Sequence, residues 1–247
     1  MSESPDVEPT ELGTPGGQPS EPVPQVAAEV FGDRLPLARR YAELLCSEGL
    51  VRGLIGPREP GRIWTRHILN SAALAPFVPA DATVVDLGSG AGLPGIPLVL
   101  ARPDLHVTLL EPLARRMRFL ELACEQLRVP VTLLQARAQD GPRGADVVVA
   151  RAVAPLDRLL GLALPLLRPG GILLAQKGGR AASELAAAAD ELERWAVAEA
   201  AVHALALGDG DASVICVLAG SQPLPLVRSV QPRIAASRGE RAGRGMR

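Results

Sequence analysis

Asp86-Leu87-Gly88-Ser89-Gly90-Ala91-Gly92 sets one carboxylate two residues ahead of three alternating glycines. The run before it, Thr83-Val84-Val85, is short and β-branched, and Pro97 stands where a helix would begin. The pattern predicts a buried strand, a tight glycine turn and a helix start. α/β proteins bring backbone close to a nucleotide-like ligand in this way. Gly90-Ala91-Gly92-Leu93-Pro94-Gly95 also satisfies G-x-G-x-x-G, which cradles a pyrophosphate. Asp86 argues against that ligand, because a carboxylate at the turn opposes an anion there. The same carboxylate favours a ligand that carries positive charge.

S-adenosylmethionine is such a ligand: it has an ammonium and a sulfonium and no phosphate. D-x-G-x-G-x-G is the pattern of class I methyltransferases, with Asp86, Gly88 and Gly90 as candidate contacts. Further candidates end the later strands. Glu111 follows Val107 to Leu110 and is placed to accept from both ribose hydroxyls. Ala138 and Gln139 follow the third strand and are placed to hold the adenine. Leu167-Arg168-Pro169-Gly170-Gly171-Ile172-Leu173 reads L-x-P-G-G-x-L, a turn common before strand five in that class and foreign to dehydrogenases.

The methyl acceptor is narrowed by which motifs the acceptor loop lacks. Exocyclic base amines are typically methylated beside Asn/Asp-Pro-Pro-aromatic after strand four, where this chain reads Ala150-Arg151-Ala152-Val153-Ala154. C5 of a pyrimidine needs a cysteine nucleophile, and none lies near strands four and five. Protein carboxyl, small-molecule and ring-nitrogen acceptors stay open. Guanine N7 offers an sp² lone pair with no proton to remove, so alignment suffices. Cations at Arg151 and Lys177 suit that acceptor, through phosphate, guanine O6 or the cofactor carboxylate. Lys177 stands out as the one lysine among 26 Lys and Arg residues, where a compact, flexible ammonium differs from a guanidinium.

The elements that must position these groups follow in order. Residues 26–80 are predicted to be a helical cap, with helices over Leu35 to Glu48, ended by Gly49, and over Ile63 to Leu74. The exposed side of the second carries Arg62, Arg66 and His67. Residues 81–220 alternate strand and helix, with helices over Leu113 to Leu127, Leu156 to Leu167 and Ser183 to Trp195. Strands follow over Val131 to Gln135, Val147 to Ala150 and Ile172 to Gln176. The expected fold is α/β, Rossmann-like, with a seven-stranded, mostly parallel sheet. Val197 to Ala206 and Val214 to Leu218 would close it as an antiparallel hairpin around Gly208-Asp209-Gly210-Asp211.

Composition permits one ordinary domain plus tails: 247 residues, 47% hydrophobic, net charge −1. The three cysteines are far apart and show no C-x-x-C spacing, which points away from a metal site or disulfide framework and suits a reducing cytoplasm. Residues 1–25 carry five acids and no base, and are expected to be a disordered, solvated tail. Residues 221–247 carry six arginines against Glu240 and are expected to be a disordered basic tail able to touch RNA phosphates. No signal peptide or membrane span is read, and nothing demands more than a monomer.

Five segments together resemble the glucose-inhibited division protein B family of small-subunit ribosomal RNA methyltransferases. They are Gly88 to Leu98, Arg66-His67-Ile68-Leu69-Asn70-Ser71, Arg116-Met117-Arg118-Phe119-Leu120, Arg151-Ala152-Val153-Ala154 and Lys177-Gly178. The resemblance spans roughly residues 35–218. It implies a cytoplasmic bacterial enzyme that moves methyl from S-adenosylmethionine to N7 of a guanine in the 530 loop of 16S rRNA. It further implies that Gly88, Leu93, Ala138, Gln139 and Arg151 contact the cofactor. Lys177, Arg137, Arg116 and the His67 helix would face the RNA. Asn70 and Gln139 depart from the family's usual Asp and Glu. The competing readings are a methyltransferase for a small molecule or protein, and a non-catalytic RNA-binding module.

Overall fold

A computed structural model of the chain describes residues 18–207 and 212–221. The turn at 208–211 and the basic segment 222–247 lie outside these residues, as do residues 1–17.

Seven strands form one sheet in the order β3-β2-β1-β4-β5-β7-β6. β1 (Thr83–Leu87), β2 (His106–Leu110), β3 (Val131–Leu134), β4 (Ala145–Arg151) and β5 (Leu167–Lys177) are mutually parallel. β6 (Glu199–Ala204) and β7 (Ser213–Leu218) add the antiparallel edge expected from the sequence. β1 and β4 read as nearly unbroken apolar runs because both faces of the sheet are covered. One core cluster joins the N-terminal helices to the face carrying Val84, Leu109 and Val149. A second packs Leu156, Leu160 and Trp195 on the face carrying Val85, Leu110 and Val148.

The cap comprises α1 (Val26–Phe31), α2 (Leu35–Leu44) and α3 (Asn70–Ala72). Two segments of wide, π-helical turns, Leu45–Gly49 and Ile63–Leu69, extend α2 and lead into α3. Gly49 therefore does not end its helix: it lies buried inside the first wide turn. The remaining helices are α4 (Gly95–Ala101), α5 (Ala114–Leu127), α6 (Leu156–Ala163), α7 (Ala181–Ala187) and α8 (Ala189–Arg194). The single helix expected from Ser183 to Trp195 is thus two helices that meet at Ala188.

Two expectations change at the cap. Glu21 is not a solvated tail charge, because its carboxylate accepts the backbone N–H of Trp64 at 2.7 Å and of Thr65 at 3.2 Å. The first N–H groups of a helix have no partner within it, and Glu21 supplies one from 43 residues away. His67 is not on an exposed side: it is 9% accessible, with its ring turned inward. Ile63, Trp64 and Ile68 on the same segment are fully or almost fully buried, which leaves Arg62 and Arg66 facing outward.

Candidate active site

The glycine loop follows β1, and its shape comes from the neighbours each glycine would touch. Gly92 has φ +91°, and a Cβ there would run into Ile96 and approach Tyr41 Oη to 3.1 Å. Tyr41 reaches across from α2 and donates its hydroxyl to the carbonyl of Ala91 at 2.7 Å. Gly90 has φ +59°, and its nearest foreign atom would be 3.8 Å away. The loop is pinned on the Gly92 side and open on the Gly90 side.

Two carboxylates hold the loop from beneath. Asp86 is fully buried, and its Oδ2 accepts the Gly95 N–H at 3.1 Å, while Oδ1 has no partner. Burial, reinforced by the charge of Glu111, pushes Asp86 up to about 7 despite the Gly95 hydrogen bond. Glu111 is 1% accessible. Its Oε2 accepts the Gly90 N–H and its Oε1 the Leu113 N–H, both at 3.0 Å. The sequence made both residues direct ligand contacts. Neither lines the cavity above the loop, because each has been drawn into satisfying backbone N–H groups. Both brace the loop.

That cavity has a volume of about 390 Å³, within the range of small-molecule sites. Its floor is Gly88 through Ala91 with Leu93, and its roof is the cap loop Gly53 to Gly56 with Glu59 and His67. Arg116 and Arg151 form its sides. Arg116, expected to face RNA, belongs to this first cavity. Arg137 and Gln139 are exposed, and Ala138 sits in the single 3-10 turn Ala138–Asp140 after β3. None of the three lines the cavity. S-adenosylmethionine fits this donor set in size and kind: main chain from the glycines, apolar Leu54, Ile55 and Leu93, and guanidinium groups for a carboxylate.

A second, larger cavity of about 1060 Å³ opens beside the first, with Arg66, Arg151 and Ala152 common to both. Its other cations are Arg62, Lys177 and Arg180, and its one acid is Glu184. Lys177 is 10% accessible in its side chain; its Nζ donates to the Ala154 carbonyl at 2.9 Å and pairs with Glu184 at 2.6 Å. It thereby ties the loop after β4 to α7. Ala152 in that loop has φ +54°, a conformation that costs a non-glycine residue energy and gathers at functional sites.

Arg151, at the end of β4, is held by the cap. Its guanidinium donates to the Arg66 carbonyl at 3.0 Å, to Ser71 Oγ at 3.2 Å and to His67 Nδ1 at 3.1 Å. His67 Nε2 faces Glu59 Oε2. Glu59 also pairs with Arg62 at 2.7 Å and with Arg66 at 3.3 Å. Burial and the nearby arginines Arg151 and Arg66 push His67 down to about 4, with Glu59 opposing. Glu59 was missed from sequence, since a lone acid in the loop Gly56-Pro57-Arg58-Glu59-Pro60 carries no periodic or motif signal. Arg180 and Glu184 were missed because they reach the cavity only through the docking of α7.

Among the described residues, no cluster of metal-binding side chains occurs and no helix is long and apolar enough to cross a membrane. A family model described as rRNA small subunit methyltransferase G, GidB, matches residues 34–211. The ribosomal RNA small subunit methyltransferase G of a Nocardioides species is 55% identical over 199 residues, covering 79% of this chain and 80% of its own. The protein of that name from Kineococcus radiotolerans is 47% identical over 249 residues, covering 97% of each. Among solved structures, a SAM-dependent O-methyltransferase from Thermotoga maritima superposes with a TM-score of 0.51 at 14% identity. It covers 62% of this chain and 65% of its own, a likeness of fold alone. With its family model spanning most of the chain and relatives alike over four-fifths or more of their length, this chain belongs to the rRNA small subunit methyltransferase G family.

Proposed function

We propose that the chain transfers a methyl group from S-adenosylmethionine to N7 of a guanine in 16S rRNA, in the 530 loop of the small ribosomal subunit. The observation that carries this reading is a cation-lined cavity sharing a wall with the glycine-loop cavity, in which, among the described residues, each carboxylate or imidazole lining the two is already engaged. Glu59 is taken by Arg62 and His67, and Glu184 by Lys177. His67 has both ring nitrogens in hydrogen bonds. An acceptor that had to lose a proton would find no available base. N7 needs none.

When bound, S-adenosylmethionine supplies an electrophilic methyl on a sulfonium. The chain's own part is placement. Gly88 to Leu93 hold the main chain against the ligand, and Arg116 and Arg151 offer donors for its carboxylate. Arg62, Arg66 and Arg180 gather RNA phosphates. Lys177 fixes the Ala152–Pro155 loop, the segment beside which the acceptor base would lie. Arg137 is a further phosphate contact on this reading, and Ala138 and Gln139, in the turn after β3, border the adenine. The test is transfer of labelled methyl to small-subunit particles, followed by nucleoside analysis. The expected product is 7-methylguanosine at one nucleotide. Label in protein or small molecules, or RNA binding without transfer, would favour the competing readings.

A further inference from the structure

We propose that Glu59 and His67 are positioning residues that fix the Arg151 guanidinium in the wall between the two cavities. The inference rests on the proposed role of that wall in methyl transfer.

The hydrogen-bond chemistry assigns the proton. A guanidinium has donors only, so His67 Nδ1 must accept from Arg151. The single proton of a neutral imidazole then sits on Nε2 and is donated to Glu59. This direction matches the charges, since Glu59 is held below the ordinary carboxylate range: burial would raise it, but hydrogen bonds from Arg62 and His67 outweigh that. The groups facing the ring are Glu59, Arg66 and Arg151, with Arg62 behind Glu59. A doubly protonated ring would turn an N–H toward Arg151 and break the contact. The geometry therefore requires a neutral ring of one tautomer.

The link also joins distant parts of the chain. Glu59 and His67 belong to the cap, and Arg151 to the sheet 84 residues away from His67. The guanidinium makes further bonds to the Arg66 carbonyl and Ser71 Oγ, both in the cap. His67 carries the connection on from the guanidinium to the Glu59 carboxylate through its ring, and Glu59 in turn pairs with Arg62 and Arg66.

The test has two readouts on the full chain. Nitrogen-15 labelled histidine gives three pairs of ring-nitrogen signals, one pair for each histidine, and His67→Gln assigns one pair. The expected signature is a neutral ring with the proton on Nε2, unchanged between pH 5.5 and 8. A ring that carries its proton on Nδ1, or that titrates within this range, overturns the proposal. The second readout compares two substitutions after melting curves confirm that both fold. Asn at 67 sets an oxygen near the Nδ1 position, whereas Gln reaches toward the Nε2 position. His67→Asn should keep kcat within about threefold, and His67→Gln should lower it by tenfold or more, the scale of a misplaced active-site group. KM for RNA should move less than kcat in His67→Gln. Equal losses, or no loss in either, would reduce His67 to packing. A parent protein inactive on small-subunit RNA would defeat the functional reading while leaving the tautomer result intact.

Discussion

The two cavities at the carboxyl ends of the strands are built from different materials. The smaller is made of main chain, turned by glycines and braced from below by two buried carboxylates. The larger is lined by long cationic side chains from the cap, the end of β4, the end of β5 and the turn before α7. Backbone geometry tolerates almost no substitution at the pinned positions, because a Cβ meets packed neighbours. A field of arginines tolerates loss of one member, because phosphate attraction is summed over several charges. The difference separates what must be rigid, the donor side, from what must accommodate a large polyanion.

Gly92→Ala attacks the pinned side of the small cavity and should have the largest effect. The left-handed backbone costs about 1–2 kcal/mol, and overpacking against Ile96 and Tyr41 adds about 1–3 kcal/mol. Titration calorimetry should show cofactor affinity down by roughly thirtyfold or more, together with a lower melting temperature. Gly90→Ala sharpens the contrast. Its methyl would make only an ordinary contact with the Gly88 carbonyl oxygen at 3.8 Å, so cofactor binding should weaken by about tenfold, with a melting temperature lowered only by the roughly 1–2 kcal/mol strain of its positive φ. Equal melting losses in the two variants would contradict the account of a loop pinned on one side.

Lys177→Ala breaks the larger cavity's loop anchor. Methyl transfer should fall by about ten- to a hundredfold, as for a misplaced active-site group, while cofactor affinity changes little. Equal loss of both would move Lys177 to the donor side.

Asp86 provides a pH test of the bracing carboxylates. Its folded value of about 7 lies above its ordinary 3.8. The stability it contributes is therefore full below about pH 4 and is lost as pH rises through 7, on the order of 4 kcal/mol. Asp86→Asn should flatten denaturant-measured stability between pH 5 and 8. An unchanged slope would mean that the carboxylate is already ionised and compensated.

Glu21→Ala should have the smallest effect. Losing this helix cap costs about 1 kcal/mol, or a few degrees in melting temperature for a chain of this size. Transfer at 25 °C should be unaffected.

The contrast between cavities also explains what was legible in the sequence. The parallel sheet was readable because strands buried on both faces must be continuously apolar, as in Val84-Val85 and Val147-Val148-Val149. The glycine loop was readable because few sequences other than glycine allow it. Asp86 and Glu111 were found by position, but their backbone N–H partners were not: sequence shows a carboxylate at a strand end, not which way it turns. The second cavity was half legible. Arg66, Arg151 and Lys177 stood in recognisable segments, whereas Arg180 and Glu184 join only through the docking of α7. Glu21 and Glu59 were invisible, since their partners lie across the fold or in an aperiodic loop. His67 was misplaced because the wide turns of Ile63–Leu69 break the 3.6-residue period on which a face is assigned.

The division of labour between the cavities is tested most directly by Arg62→Ala/Arg180→Ala. Both side chains line only the larger cavity. Cofactor affinity and small-subunit RNA affinity would be measured side by side across a salt series. Cofactor binding should stay within about twofold of the parent, RNA binding should weaken, and the log–log salt slope should fall by about 2, one for each lost phosphate contact. RNA binding with an unchanged slope, or a cofactor loss as large as the RNA loss, would contradict that division of labour.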